Sequence, residues 1–99
     1  MLAVDKTQFN SKNSVEADAL IIKSLGHPVR LRILTMLDRQ ECNVKNLWEC
    51  LCMEQCVVSQ HLALLKHHGI IVGRRNGSEV IYSIVNPLAQ KIVDVLTKN

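Results

Sequence analysis

The sequence predicts a single, mainly α-helical domain with one β-hairpin near its C-terminal end. Three observations predict this fold class: apolar residues recur at helical spacing in several segments, two strand-like runs flank one short turn, and no apolar run reaches about 20 residues. The 99 residues are 47% hydrophobic but include Phe, Trp and Tyr only once each. We therefore expect one small aliphatic core, which dimerisation would help to stabilise.

The first two helices are expected to follow each other almost directly. The segment from Ser14 to Leu25 repeats apolar residues at helical spacing, and Ser14 is placed to cap its N-terminus. Gly26 ends this helix, and Pro28 suits the first turn of the next one. Within a single domain of residues 1–99, residues 1–13 are expected to be flexible.

A second pair of helices is joined by a tight turn. Asn43 can cap a short third helix, whose apolar period ends near Met53, where we expect the turn. The fourth helix is expected from about Gln55 to His68. It should stop at Gly69, because glycine readily takes the left-handed conformation of a helix end.

The fourth helix has two unlike faces. Val58, Leu62 and Leu65 form a narrow apolar stripe, which we call the anchor stripe. An ordinary surface helix would more often carry Glu and Lys pairs opposite such a stripe. Here the opposite face, which we call the polar strip, carries Gln55, Cys56, Ser59, Gln60, Ala63, Lys66 and His67.

Two strand-like runs, IIVGRR and EVIYSIV, follow the fourth helix. They are joined by Asn76-Gly77, the dipeptide that most readily takes the positive backbone angles of a two-residue hairpin turn. Asn86 and Pro87 then start a last helix. Its apolar side carries more aliphatic residues than one small domain needs to cover internally.

Positive charge is concentrated in one part of the chain. The formal net charge is only +3, but no acidic residue occurs from Gln55 to Ser78, a window that contains Lys66, Arg74 and Arg75. Such a region favours a polyanionic partner, although a chance cluster on a solvated face is the alternative.

Two helices joined by a short turn, followed by a hairpin with a basic tip, have the order of a winged helix-turn-helix (α-α-α-α-β-β-α). In that arrangement the fourth helix enters the major groove of double-stranded DNA, and the hairpin reaches phosphates or an adjacent minor groove. Glutamine and hydroxyl side chains can bond base edges or phosphates. The expected DNA contacts are Gln55, Cys56, Ser59, Gln60, His61, Ala63, Lys66, Arg74, Arg75, Asn76 and Gly77.

From about Ala17 to Leu96 the chain resembles the ArsR/SmtB family of bacterial repressors. The resemblance is carried by LGHPVRLRILTML in the second helix, VVSQHLALLKHHGII in the fourth, and GRRNGSEVIYSI in the hairpin. It implies a homodimer that reads an inverted-repeat operator, with the first and last helices at the interface. The residues expected there are Leu20, Ile21, Leu88, Ile92, Val95 and Leu96.

The resemblance also implies a signal that releases the repressor: a metal ion, an arsenical, or thiol oxidation and persulfidation. The thiolate positions of the arsenical and cadmium sensors fall on Asn43, Lys45 and Trp48 in this sequence, and none of these can supply a thiolate. The Asp and His positions that zinc, nickel and cobalt sensors use on the last helix retain only Asp94. Neither family metal site is therefore expected.

Three other cysteines, Cys50, Cys52 and Cys56, are candidate redox or metal-binding residues. Because a helix N-terminus stabilises an anion, Cys56 is expected to be the most readily oxidised or metallated. The three thiols could gather As(III), Cd(II) or another soft ion such as Cu(I). However, side chains at i and i+2 of a helix diverge by roughly 200°, so Cys50 and Cys52 share an ion only if the turn unwinds. Structural packing is the third possibility, since free cysteine is often buried.

Two other classes of protein compete with a DNA-binding regulator: a small thiol redox enzyme and a soft-metal carrier. No Cys, His and acid arrangement suggests an enzyme, and a carrier would not need a basic hairpin. A regulator without an inducer also remains open. The opening MLAVDKTQFNSKN is unlike a signal peptide, so we expect a cytoplasmic protein without membrane partners. The sequence does not identify a definite cofactor.

Overall fold

The structure, a computed structural model, describes residues 12–98, and the expected flexibility of residues 1–13 falls mostly outside that range. The described residues confirm the mainly helical fold with a hairpin wing. Among them, no helix combines the length and apolar character needed to span a membrane. The elements in chain order are α1 (Lys12–Leu25), α2 (Pro28–Arg39), β1 (Cys42–Asn43), α3 (Val44–Leu51), α4 (Gln55–His67), β2 (Ile71–Asn76), β3 (Glu79–Ile84) and α5 (Pro87–Thr97).

Most of the predicted helix ends are confirmed. The side chain of Asn43 accepts a hydrogen bond from the Asn46 amide at 2.8 Å, as a cap of α3, and Asn86 caps α5 in the same way. The expected cap at Ser14 is wrong, because α1 already includes Lys12. A single polar residue in a polar lead-in does not distinguish the start of a helix from its first turn.

The sheet has three strands in the order β1-β3-β2, so the predicted hairpin gains a third strand. Strand β1 pairs Cys42 with Tyr82 and Asn43 with Ile81. Two residues are too few to show an alternating pattern, and Asn43 is also the cap of α3. The short strand was therefore missed in the sequence, although it attaches the start of α3 to the wing.

The hairpin turn lies one residue later than predicted. Asn76 pairs with Glu79 at the end of β2, which leaves Gly77 and Ser78 as the two loop residues. Gly77 has φ +67°, whereas Ser78 is not among the non-glycine residues with positive φ. This pattern is that of a type II′ turn, which needs glycine at its first central position, and it differs from the Asn-Gly turn expected from the dipeptide.

The anchor stripe lies in the centre of the core. Val58 and Leu65 are fully buried and Leu62 is 2% exposed, which confirms their predicted inward orientation. Full burial of an aliphatic side chain contributes about 1.5–3 kcal/mol, so these three residues hold α4 in place. Their neighbours in the core come from every other helix and from β2, and include Ile21, Ile33, Leu34, Leu47, Ile71 and Val93.

Helices α3 and α4 end in the same motif but with different residues. At the end of α3, the backbone amide of Cys52 donates to the Glu49 carbonyl, and the backbone amide of Met53 donates to the Trp48 carbonyl. These are the two hydrogen bonds of a Schellman motif. At the end of α4, Gly69 and Ile70 make the corresponding pair of bonds. Gly69 takes the required positive φ without steric cost, but Cys52 takes it with a side chain (φ 54°, ψ 44°).

Replacing Cys52 by glycine should stabilise the protein. The left-handed conformation costs a residue with a Cβ about 1–2 kcal/mol, and the larger entropy of glycine in the unfolded chain offsets part of the gain. We expect Cys52→Gly to raise the free energy of unfolding in urea by about 0.5–1 kcal/mol. As the control, Cys50→Gly removes a comparably exposed thiol from the helix interior and should lower it by about 1 kcal/mol. A loss of stability in both variants would contradict the strain at Cys52.

Candidate nucleic-acid interface

The polar strip of α4 faces outward. All seven of its residues are exposed, while the anchor stripe on the opposite face is buried. Within the strip, Gln55, Ser59 and Gln60 present amide and hydroxyl groups to solvent along the first two turns of the helix. The fold therefore displays a row of short hydrogen-bonding side chains on a helix that is fixed from behind.

Cys56 lies on this strip, in the first turn of α4. Its side chain is exposed, and its Sγ donates to a carboxylate oxygen of Glu54 at 3.6 Å. Glu54 is the N-cap residue of α4, but its side chain makes no capping hydrogen bond. The Glu54 carboxylate thus accepts a hydrogen bond from the thiol and none from the backbone amides at the start of α4. The thiol remains accessible to reagents from solvent.

His61 does not belong to the polar strip, although it was among the expected DNA contacts. It is partly buried, with its ring 4.7 Å from that of His27 and its Nδ1 3.4 Å from a guanidinium nitrogen of Arg30. Arg30 also donates to the carbonyl of Ser24 at 2.5 Å. The cluster therefore connects α4 to the junction between α1 and α2. Burial, and secondarily His27 and Arg30, lower the pKa of His61.

The two arginines of the wing differ in their surroundings. Arg74 forms an ion pair of 2.9 Å with Glu41, just before β1, whereas no described residue pairs with Arg75. Neighbouring residues of a strand point to opposite faces of the sheet, so the two side chains leave the wing in different directions. Nearby, Asn43 donates to Glu79 at 2.8 Å while it caps α3, which ties the wing to that helix.

The cysteines are grouped differently from the prediction. Cys50, Cys52 and Cys56 are exposed, and among residues 12–98 no three His, Cys, Asp or Glu side chains come together as a group that could hold a metal ion. Instead, Cys50 lies beside Cys42, and both border a cleft of about 550 Å³ between α2 and α3. Cys42 is buried and donates to the Gln40 carbonyl at 3.3 Å. Its burial, and next the neighbouring Cys50, raise the pKa of the Cys42 thiol.

Exposed aliphatic side chains cover parts of α1 and α5. Of the residues expected at a dimer interface, Leu20, Val95 and Leu96 are exposed, and Leu88 and Ile92 are partly buried against the core. Ile21 is a correction: it is 6% exposed and belongs to the buried core of its own chain, so little of its surface is available to a partner. Two further aliphatic residues of α1, Val15 and Ile22, are also exposed, although their positions in the sequence did not indicate it.

A polar cluster fixes α5 against the end of α2. The amide of Gln90 donates to Asp38 at 2.6 Å and to Asp94 at 2.9 Å, and Lys98 lies 2.8 Å from Asp94 and 3.7 Å from Asp38. Hydrogen bonds from Lys98 and then Gln90 lower the pKa of Asp94. Asp94, the one family ligand position that the last helix retains, is thus engaged within the chain.

The chain is similar in sequence to known bacterial regulatory proteins. A family model described as "Bacterial regulatory protein, arsR family" matches residues 27–72, from the start of α2 into β2. The transcriptional repressor PagR of Bacillus anthracis is 39% identical over 85 residues, which cover 84% of each chain. The chain belongs to the ArsR family.

Other ArsR-family proteins agree with this assignment. The HTH-type transcriptional repressor SmtB of Mycobacterium tuberculosis is 34% identical over 83% of this chain, which spans only 62% of that relative's length. Among solved structures, reduced HlyU from Vibrio cholerae has a TM-score of 0.82 at 26% identity and covers 89% of this chain and 93% of its own. The PagR crystal structure has a TM-score of 0.80 at 35% identity, and the match covers 86% of this chain and 98% of the PagR chain. The predicted family and the winged helix-turn-helix fold are confirmed, and the protein is a transcriptional regulator.

The lowered pKa of His61 makes the stability of the protein depend on pH. The His61 ring takes up a proton less readily in the folded protein than in the unfolded chain. Its contribution to the free energy of unfolding is therefore fully present above the ordinary histidine pKa of 6.5 and decreases as the pH falls below that pKa. A proton NMR titration should place the His61 pKa below 6.5, and Arg30→Gln should raise it. In His61→Gln this part of the loss of unfolding free energy at low pH should vanish. A titration at or above 6.5 would contradict the assigned environment.

Proposed function

We propose that the protein is a cytoplasmic, homodimeric repressor that binds an inverted-repeat operator in double-stranded DNA. The observation that carries this proposal is the exposed polar strip of α4, backed by the fully buried anchor stripe. A helix fixed in this way presents side chains of defined position to a major groove. Membership in a family of transcriptional regulators supports the same function.

Sequence preference would come from the glutamines and the serine of the strip. A glutamine amide can bond an adenine edge at two points, and a hydroxyl suits a base or a phosphate. Lys66, at the end of the same strip, would contact the phosphate backbone. The strip contains no carboxylate, so its charge does not oppose the approach of DNA.

In the wing, we assign the stronger phosphate contact to Arg75 rather than to Arg74. Arg75 has no partner among the described residues, whereas Arg74 must give up its bond to Glu41 before it can bind a phosphate. Asn76 and Gly77 at the tip would follow the backbone or the adjacent minor groove. Each phosphate contact adds a salt-dependent contribution to affinity that does not depend on DNA sequence.

Dimerisation would cover the exposed apolar side chains of α1 and α5. Ile22, Val95 and Leu96 are each more than half exposed, at 55%, 74% and 54%. Burial of such aliphatic area is favourable by about 25 cal/mol per Å². The cluster of Asp38, Gln90 and Lys98 would then fix the angle between α5 and the DNA-reading half of each subunit.

The division of roles between strip and wing can be tested on a duplex selected from a random DNA pool by the wild-type protein. Gln60→Ala should lose about 1–3 kcal/mol of discrimination at one base position. Arg75→Ala should weaken binding to all sequences alike and reduce the slope of log affinity against log salt by about 1. Arg74→Ala, the matched control, should reduce that slope less. Equal losses on operator and random DNA for both Gln60→Ala and Arg75→Ala would contradict this assignment.

For the releasing signal, we propose chemical modification of Cys56. Its thiol is exposed on the polar strip, so an added group would lie between α4 and the DNA. A regulator without an inducer is the second candidate, and the burial of Cys42 in the core favours a structural role for that one thiol.

Alkylation with iodoacetamide tests the role of Cys56. Operator affinity of the wild type should fall on the order of tenfold or more. A tenfold fall corresponds to a loss of about 1.4 kcal/mol of binding free energy. Cys56→Ser should keep its affinity after the same treatment. The controls Cys50→Ser and Cys52→Ser, which remove two other exposed thiols, should lose affinity as the wild type does. Equal binding by alkylated and untreated wild type would reject the proposal.

A further inference from the structure

A second open cleft lies at the turn between α3 and α4. Its volume is about 620 Å³, which is within the usual range for small-molecule sites. The residues that line it are Trp48, Glu49, Cys52, Met53, Glu54 and Gln55. It is therefore built from the end of α3, the Schellman turn and the first residue of α4.

The lining combines negative charge with an aromatic and apolar wall. Glu49 and Glu54 supply two carboxylates, Trp48 supplies an indole, and Met53 supplies a flexible, polarisable side chain. No basic side chain lines the cleft. Glu49 has one ion-pair partner among the described residues, Lys45, at 4.0 Å on the exposed surface, and Glu54 receives only the thiol of Cys56.

The charge of this cleft is opposite to that of its surroundings. From Gln55 to Ser78 the chain has no acidic residue, and the proposed DNA-binding strip begins at Gln55. Glu54, the residue directly before it, and Glu49 on α3 place two carboxylates at the edge of a surface that would face phosphates. Carboxylates at that edge make no attractive contact with phosphates, so they remain available to a cationic ligand.

We propose that the cleft between α3 and α4 binds a small organic cation with an apolar or aromatic group, held by Glu49 and Glu54 against the face of Trp48. A cation over an indole is attracted by the ring quadrupole, and tryptophan is the best aromatic partner for it. The carboxylates provide charge complementarity. The thioether of Met53 adapts to the shape of the apolar group.

Occupancy of the cleft has a direct route to the DNA-binding strip. The carbonyl of Glu54 accepts from Val57 at 3.1 Å and from Val58 at 3.2 Å, so Glu54 is bonded to the first turn of α4. Its carboxylate also holds the Cys56 thiol. A cation that engages this carboxylate would displace the thiol and lie beside Gln55, where it would compete with DNA. This consequence, unlike the binding itself, rests on the proposed function.

Trp48 is the only tryptophan of the 99 residues, so its fluorescence reports on this cleft alone. The probe is benzyltriethylammonium, titrated into the protein without DNA, with benzyl alcohol and benzoate as the neutral and anionic controls. We expect a saturable change in emission with the cation only. Glu49→Gln and Glu54→Gln should each weaken binding roughly two- to fivefold, whereas Glu16→Gln, an exposed acid on α1, should not change it.

An equal response to the cation and benzyl alcohol, or affinity unchanged in Glu49→Gln and Glu54→Gln, would overturn the site. A separate titration measures release of a labelled operator duplex by the cation. Release from the wild type, reduced in Glu54→Gln, supports the coupling to DNA, and cation binding without release overturns the coupling only. Failure of the protein to bind any duplex would instead refute the proposed function, while the fluorescence result without DNA would still decide the site.

Discussion

The rest of the structure depends on the burial of the anchor stripe. Val58, Leu62 and Leu65 are inserted into a core to which every other helix contributes, and at this packing density a buried side chain has few alternative positions. Rotation of α4 about its axis would bring glutamine or lysine into that core, at the cost of an unpaired polar group. The outward direction of the polar strip is therefore a consequence of packing, and the strip needs no contacts of its own to be held.

Polar contacts then fix the elements around α4. Arg30 and His61 connect it to the α1–α2 junction, and Asn43 joins the start of α3 to the wing through Glu79. On the other side of the domain, Gln90 and Lys98 hold α5 to α2. The hydrogen bonds of Arg30 and Gln90 are partly buried and that of Asn43 is exposed, so each contributes a modest amount of stability. Together they determine how the two halves of a dimer would present their reading helices.

The turn between α3 and α4 is where stability and function diverge. Glycine would satisfy the left-handed position at the end of α3 without steric cost, as Gly69 does at the end of α4, yet the chain has Cys52 there. Backbone strain of this kind tends to occur at functional sites. The same turn carries the acidic cleft and precedes the strip that bears Cys56. A change in ligand or thiol chemistry at this turn would thus act next to the surface proposed to meet DNA.

The amino-acid sequence by itself determined the helices, the hairpin, the direction of the polar strip and the family. These features depend on local spacing: a period of 3.6 places the anchor stripe on one face, and Asn43, Pro28 and Gly69 mark helix ends through their own backbone chemistry. Only the tertiary structure decided which distant side chains meet. It paired Arg74 with Glu41, placed His61 beside Arg30, buried Ile21, grouped Cys42 with Cys50 and moved the hairpin turn to Gly77 and Ser78. Those outcomes depend on packing between elements and on strand register, which no local period records.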